Sequence, residues 1–147
     1  MTVASHAGMY RSVLEQMNAG FCVIEVLFDN NKAVDYRFLE VNDAFERNTG
    51  LANARGQRMS TLQPDHEPDW FRIYGEVALT GQSQQFELEA RALGRWYSVE
   101  AVRVGEPGDH QVAVVFFDVS SRKQIEVELA ESEARFSALA DGLPMPV

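Results

Sequence analysis

Few side chains in this sequence are spaced so that they could do covalent chemistry together. The histidines, His6, His66 and His110, lie far apart and have no cysteine or histidine neighbour at metal-ligand spacing, so no metal site is expected. Cys22 is the single thiol, which rules out an internal disulfide and fits a reducing compartment. Gly105, Pro107 and Gly108 have the composition of a hairpin turn rather than of a phosphate-cradling loop. Neither a Gly-x-Ser-x-Gly elbow nor a His-Glu-x-x-His pair occurs. One acid–base reading is open, a small α+β cavity enzyme with Glu40 or Glu25 as a buried base, but no second polar partner stands out for it. No catalytic residue is assigned. The more extensive candidate set is apolar: Trp70, Ile73 and Tyr74 facing Phe86, Tyr97, Val99 and Phe116, with Met59 as a flexible wall and Asn42 as a polar member. Such residues build an ordinary core unless packing leaves a void, in which case they line a ligand pocket.

Composition narrows the partners. The 147 residues are 46% hydrophobic and 24% charged, a globular balance sufficient for one domain and an appendage. With 13 basic against 22 acidic residues the net charge is −9, and no basic stripe is found. Nucleic acid and anionic membrane surfaces are therefore not expected partners. No apolar run approaches the roughly 20 residues that span a bilayer, and the N-terminus lacks signal-peptide character, so a cytoplasmic location is expected.

The elements that must position the apolar set follow from periodicity. Tyr10, Val13, Leu14 and Met17 share a helical face that ends at Asn18-Ala19-Gly20. Phe21 to Phe28 and Asp35 to Val41 read as strands joined through Asp29-Asn30-Asn31-Lys32, with Tyr36 and Phe38 alternating against Asp35 and Arg37. Asp43, as N-cap with Glu46 three residues on, opens a short helix that stops at Thr49-Gly50. Short helical turns are expected around Gly56 and Pro64. A helix then runs from Pro68 to Thr80, with Trp70, Ile73, Tyr74 and Val77 as its stripe. Three strands complete the core: Gln85–Ala90, Arg95–Val104 and Val112–Phe117. The last is apolar on both faces and needs cover on both, from the middle helices on one side and from the N-terminal helix or a second subunit on the other. The expected fold is α+β: a five-stranded antiparallel sheet with a helical insert, an N-terminal amphipathic helix and a C-terminal helix.

Where the last strand stops, Asp118-Val119-Ser120-Ser121-Arg122-Lys123 resembles the Asp-Ile-Thr-x-Arg-Lys junction that closes PAS domains. Glu40-Val41-Asn42-Asp43-Ala44-Phe45 is similar to the Asn-x-Ala segment after the second PAS strand, Thr49-Gly50-Leu51 sits in the family's usual place, and Arg95 to Val99 resembles the fourth strand. In this order the resemblance spans about residues 10 to 123. It implies a sensory and dimerisation module of a bacterial signalling protein, of histidine kinase or cyclic-dinucleotide enzyme type, whose output domain follows in the same chain. It also implies a relay through Asp118, Arg122 and Lys123, for which an ion pair of Asp118 with Arg122 or Lys123 is the expected device. Light-sensing flavin members carry a Gly-x-x-Cys-Arg-Phe-Leu-Gln segment. The matching stretch here, Gly56 to Gln63, has Met59 in place of the cysteine. A thioether has no proton to lose, so the covalent flavin adduct is excluded, while non-covalent flavin binding stays open. Haem members ligate iron through a histidine near the middle helix. His66, ahead of Pro68 and between Asp65 and Glu67, reads as a solvent-exposed loop residue, and haem is not expected. The ligand, if there is one, is not identified, and a purely structural dimeriser with a filled core is the remaining alternative.

Beyond the junction, Ile125, Leu129, Ser132, Phe136, Leu139 and Leu143 repeat at four- and three-residue steps, the seam of a parallel coiled coil with Ser132 as its one polar member. Phe136, Leu139 and Leu143 repeat the spacing of Tyr10, Val13 and Met17, and Arg135 to Pro144 resembles the opening helix of another PAS domain. The expected organisation is a disordered lead over residues 1–8, the domain over 9–118, the coiled-coil helix over 119–141, and the start of a following domain over 142–147.

Overall fold

A computed structural model describes residue 9 and residues 12–142, with side chains as far as 137. Helical residues 12–16 (α1) lead into β1 (Gly20–Asp29), β2 (Lys32–Val41), α2 (Asp43–Thr49), α3 (Met59–Leu62), α4 (Pro68–Thr80), β3 (Gln84–Ala90), β4 (Arg95–Val104), β5 (Gln111–Asp118) and α5 (Ser120–Gly142). The strands form one antiparallel sheet in the order β2-β1-β5-β4-β3, so the first and last strands in sequence meet near its centre. The β1–β2 hairpin closes on Asn30 and Asn31, at φ 53° and 62°. Asparagine tolerates this left-handed pair, whose twist suits a two-residue hairpin.

Alternation decides which side chains enter the core. Cys22, Ile24 and Val26 of β1, Tyr97, Val99 and Ala101 of β4, and Val112, Val114 and Phe116 of β5 are buried beneath the helical insert. Gly20 pairs with Phe116, whose ring occupies the space a Cβ would need, as close as 2.3 Å. α4 starts on Pro68, stops at Gly81 in the left-handed conformation (φ 75°), and buries Trp70, Tyr74, Val77 and Ala78. Trp70, Tyr74 and Val77 of the expected stripe are thus buried, while Ile73 stays half-exposed and Ala78 takes its place in the core. On the other face of β5, Ala113, Val115 and Phe117 are half-buried.

Two local expectations are corrected. The N-cap of α2 is Asn42, not Asp43, and its side chain accepts from Phe45 N–H at 2.9 Å. The same Oδ1 accepts from Phe21 N–H at 2.9 Å and Nδ2 donates to the Ala19 carbonyl at 3.0 Å, so one side chain joins α2 to the start of β1. Asp35, expected on a solvated face, is buried, because Ser60 at the start of α3 sits over its carboxylate. There it accepts from Ser60 N–H at 3.1 Å and from the Ser60 hydroxyl, holding α3 against β2. Along α5, Ile125, Leu129 and Phe136 are 64%, 58% and 76% exposed. The readings made for residues 1–8, for Tyr10, for the Leu139 and Leu143 side chains and for 143–147 lie outside the described residues.

Candidate functional site

The sheet and the insert leave a cavity of about 50 Å³ between them. Of the residues expected to line it, Met59, Trp70, Tyr74, Tyr97, Val99 and Phe116 do so, joined by Cys22, Ile24, Tyr36, Phe38, Phe45 and His66. Asn42, Ile73 and Phe86 are not on its wall. Phe86 packs behind it against Trp70 and Tyr74, at ring distances of 5.9 and 6.4 Å. Asn42 is spent on the hydrogen bonds at the base of β1.

The side chain misread most is His66. It lies in the α3–α4 loop as expected, yet it is 7% exposed. Its ring stacks on Trp70 (5.5 Å, 22°) and meets Phe71 edge-on (5.5 Å, 84°). Nε2 is 3.1 Å from the Tyr36 hydroxyl, and Nδ1 is buried without a hydrogen-bond partner among the described residues. Burial pushes its pKa down to about 4, against the opposing pull of Glu67 and Asp35, so the ring is neutral near pH 7. Burial likewise raises the ionisation of Tyr36, Tyr74 and Cys22 well above their usual ranges, which keeps the wall uncharged. Local sequence could not place His66, because its neighbours Pro64, Asp65 and Glu67 are polar or turn-forming; only the two flanking prolines hint at a fixed loop.

Among the described residues no Asp, Glu, Lys or Arg lines the cavity. Glu25 is 37% exposed on its side chain and lies 3.8 Å from Arg37, and Glu40 is half-buried. Neither is the buried base that the enzyme reading needed. Among the described residues no group of three or more His, Cys, Asp or Glu could hold a metal, and no helix is long and apolar enough to cross a membrane. Pockets for larger organic ligands commonly run to about 300–1,000 Å³. A flavin or haem therefore does not fit this cavity as it is shaped, and Met59 on its wall supplies no thiol for a flavin adduct.

A second cluster lies where β5 meets α5. The Asp118 carboxylate accepts from Ser120 N–H at 2.9 Å, the Ser120 hydroxyl accepts from Trp96 N–H at 2.9 Å, and Val119 N–H donates to the Trp96 carbonyl at 2.8 Å. Asp118 is 4.0 Å from the Arg95 Nε. Arg95 in turn donates to the Asn48 carbonyl near the end of α2, which also accepts the Tyr97 hydroxyl at 2.6 Å. The expected pair of Asp118 with Arg122 or Lys123 does not form. Both cations reach Glu87 on β3, Lys123 at 2.9 Å. Lys123 also lies 5.1 Å from the Trp96 ring centroid, within range of a cation–π contact. Asp118 remains extended at the strand end, facing β4, while the first turn of α5 directs its cations across the sheet edge. The hydrogen bond from Lys123 leads in holding the Glu87 carboxyl below its usual range.

Sequence comparison matches residues 8–82 to the PAS domain family. A search of curated proteins found no match. An RNA-binding light-oxygen-voltage receptor has a similar structure, with 18% identity and a TM-score of 0.60 over 97% of this chain and 40% of that one. A sensory box histidine kinase/response regulator from Burkholderia thailandensis E264 does too, with 12% identity and a TM-score of 0.54 over 88% and 98% of the two chains. A light-oxygen-voltage domain studied with a flavin analogue gives 18% and 0.50 over 83% and 93%. At these identities the likeness is one of fold. The chain spans well under half the length of the RNA-binding receptor.

Proposed function

Because the chain belongs to the PAS domain family, we propose that it is the cytoplasmic sensory and dimerisation module of a longer signalling protein, in which the state of the cavity is passed through the β5–α5 junction to the exit helix. The junction is the observation that carries this reading. Tyr97 and Val99 of β4, Ala90 of β3 and Thr49 of α2 all wall the cavity. The same three elements hold the base of α5 through Trp96, Glu87 and the Asn48–Arg95–Asp118 chain. A shift of β4 toward or away from the cavity therefore moves the first turn of α5, while residues 124–137 of the helix are exposed. The output is a histidine kinase or cyclic-dinucleotide enzyme module beyond this chain, in keeping with the sensory box histidine kinase that shares the fold.

Hydrogen–deuterium exchange tests the relay. Val99→Met, which pushes a longer side chain into the cavity, is expected to change exchange over residues 120–130 by about threefold. The combined change Glu87→Gln and Ser120→Ala should abolish that response. Unchanged exchange in the helix of the Val99 variant would sink the relay.

The helix is the proposed dimer element. Ile125, Leu129 and Phe136 are exposed at seam spacing, and each could contribute about 1.5–3 kcal/mol if buried against a second copy. Sedimentation of the intact chain is expected to show a dimer, and Leu129→Glu a monomer; a dimer indifferent to that substitution forms elsewhere.

A further inference from the structure

We propose that the cavity selects a small, neutral, mostly apolar molecule that carries one hydrogen-bond acceptor, a ketone or amide carbonyl or a ring nitrogen, held by the Nδ1–H of His66. This rests on the sensory reading above and adds the chemistry of what is sensed. The argument starts from hydrogen-bond bookkeeping around two side chains. Among the described residues the Tyr36 hydroxyl has one partner, His66 Nε2 at 3.1 Å. If Nε2 carried the proton, it would donate to the phenol oxygen. The phenol O–H and the Nδ1 lone pair would then both be left without partners in an apolar core. If the phenol donates instead, Nε2 accepts, the imidazole proton sits on Nδ1, and a single group is unsatisfied. Each buried polar group left unpaired is costly, so the second arrangement is favoured.

What is left over is a donor, Nδ1–H, on a ring that is 7% exposed and contributes to the cavity wall. Trp70, Tyr36 and Phe71 fix the plane of the ring, and the Tyr36 hydroxyl at Nε2 fixes its orientation within that plane. In this proposal Nδ1–H is placed toward the cavity that His66 helps to line, where an entering acceptor would recover the missing bond. A charged acceptor would not be favoured. Among the described residues no cation lines the wall, and Asp35 and Glu67, the charged groups acting on the ring, are both acidic. A buried carboxylate would lose its hydration without a counter-ion. With about 50 Å³ of room, the occupant has a handful of heavy atoms, or the size of one small ring once Met59 adjusts.

Three compounds built on one five-membered ring separate the possibilities: cyclopentanone, methylenecyclopentane, which has the same shape without an acceptor, and cyclopentanecarboxylate, which carries a charge. With ¹⁵N-histidine-labelled full chain, two-dimensional NMR of the imidazole nitrogens is expected to show His66 protonated on Nδ1. Cyclopentanone should shift that nitrogen and bind at least about tenfold more tightly than methylenecyclopentane, with no binding of the carboxylate. His66→Phe, which keeps the aromatic packing, should erase the preference for the ketone, and Tyr36→Phe should reduce it by releasing the tautomer. Protonation on Nε2, equal affinity for ketone and hydrocarbon, or a preference that survives in His66→Phe would each overturn the inference. Absence of binding by all three would overturn it as well. The relay is judged separately, by a wall substitution that needs no ligand.

Discussion

Asn42→Ala is expected to lower the stability of the domain by about 3 kcal/mol, an unusually large loss for a half-buried polar residue. The side chain caps α2 through Phe45 N–H, accepts from Phe21 N–H and donates to the Ala19 carbonyl. Loss of an N-cap costs about 1 kcal/mol, and the two remaining backbone groups, partly shielded from water, lose about 1 kcal/mol each when left unpaired. Asn42→Ser, still able to cap the helix but too short to reach Ala19, should recover the cap's share only. Urea titration with an unchanged denaturant slope is the measurement. A loss under about 1 kcal/mol in the alanine variant would mean that water replaces these bonds without strain.

The second large effect is a dependence on acid. An ordinary imidazole takes up a proton near pH 6.5, as His66 does in the unfolded chain, whereas burial against Trp70, Tyr36 and Phe71 holds its folded pKa at about 4. Between those values the unfolded state binds more protons, so falling pH favours unfolding. The stability that the neutral ring permits is complete above pH 6.5 and is lost progressively down to pH 4, a loss of roughly 3 kcal/mol. Other groups titrate in this range too, so the informative quantity is the difference from His66→Phe. That variant should show a shallower fall in urea stability between about pH 7 and about pH 4.5. Parallel curves for the two proteins would show that the folded ring takes up its proton without penalty.

These two residues also show where reading from sequence stops. A helix start was legible at Asn42-Asp43, since both residue types cap well and Glu46 follows at the capping-box distance. Choosing between them needed the strand that ends at Val41. Its direction turns Asn42 toward Ala19 and Phe21, more than twenty residues back in the chain. His66 carried a misleading local signal, because Asp65 and Glu67 mark a solvated loop, and the aromatic side chains that cover it come from β2 and α4. The Asp118–Arg122 pair failed for a related reason. Four-residue spacing promises contact only when both residues lie within one helix, and α5 begins at Ser120.

Sequence alone settled the α+β class, the five strands, the turn at Asn30-Asn31, and the strand that feeds directly into a helix. Those features depend on period and on backbone preference, which each segment carries in itself. Tertiary structure decided the hydrogen-bonded base of α5, the burial of Asp35 and His66, and which aromatic rings wall the cavity. Those depend on where distant polar atoms find partners once water is gone. The cost of leaving such an atom unpaired is set by whatever the fold brings beside it.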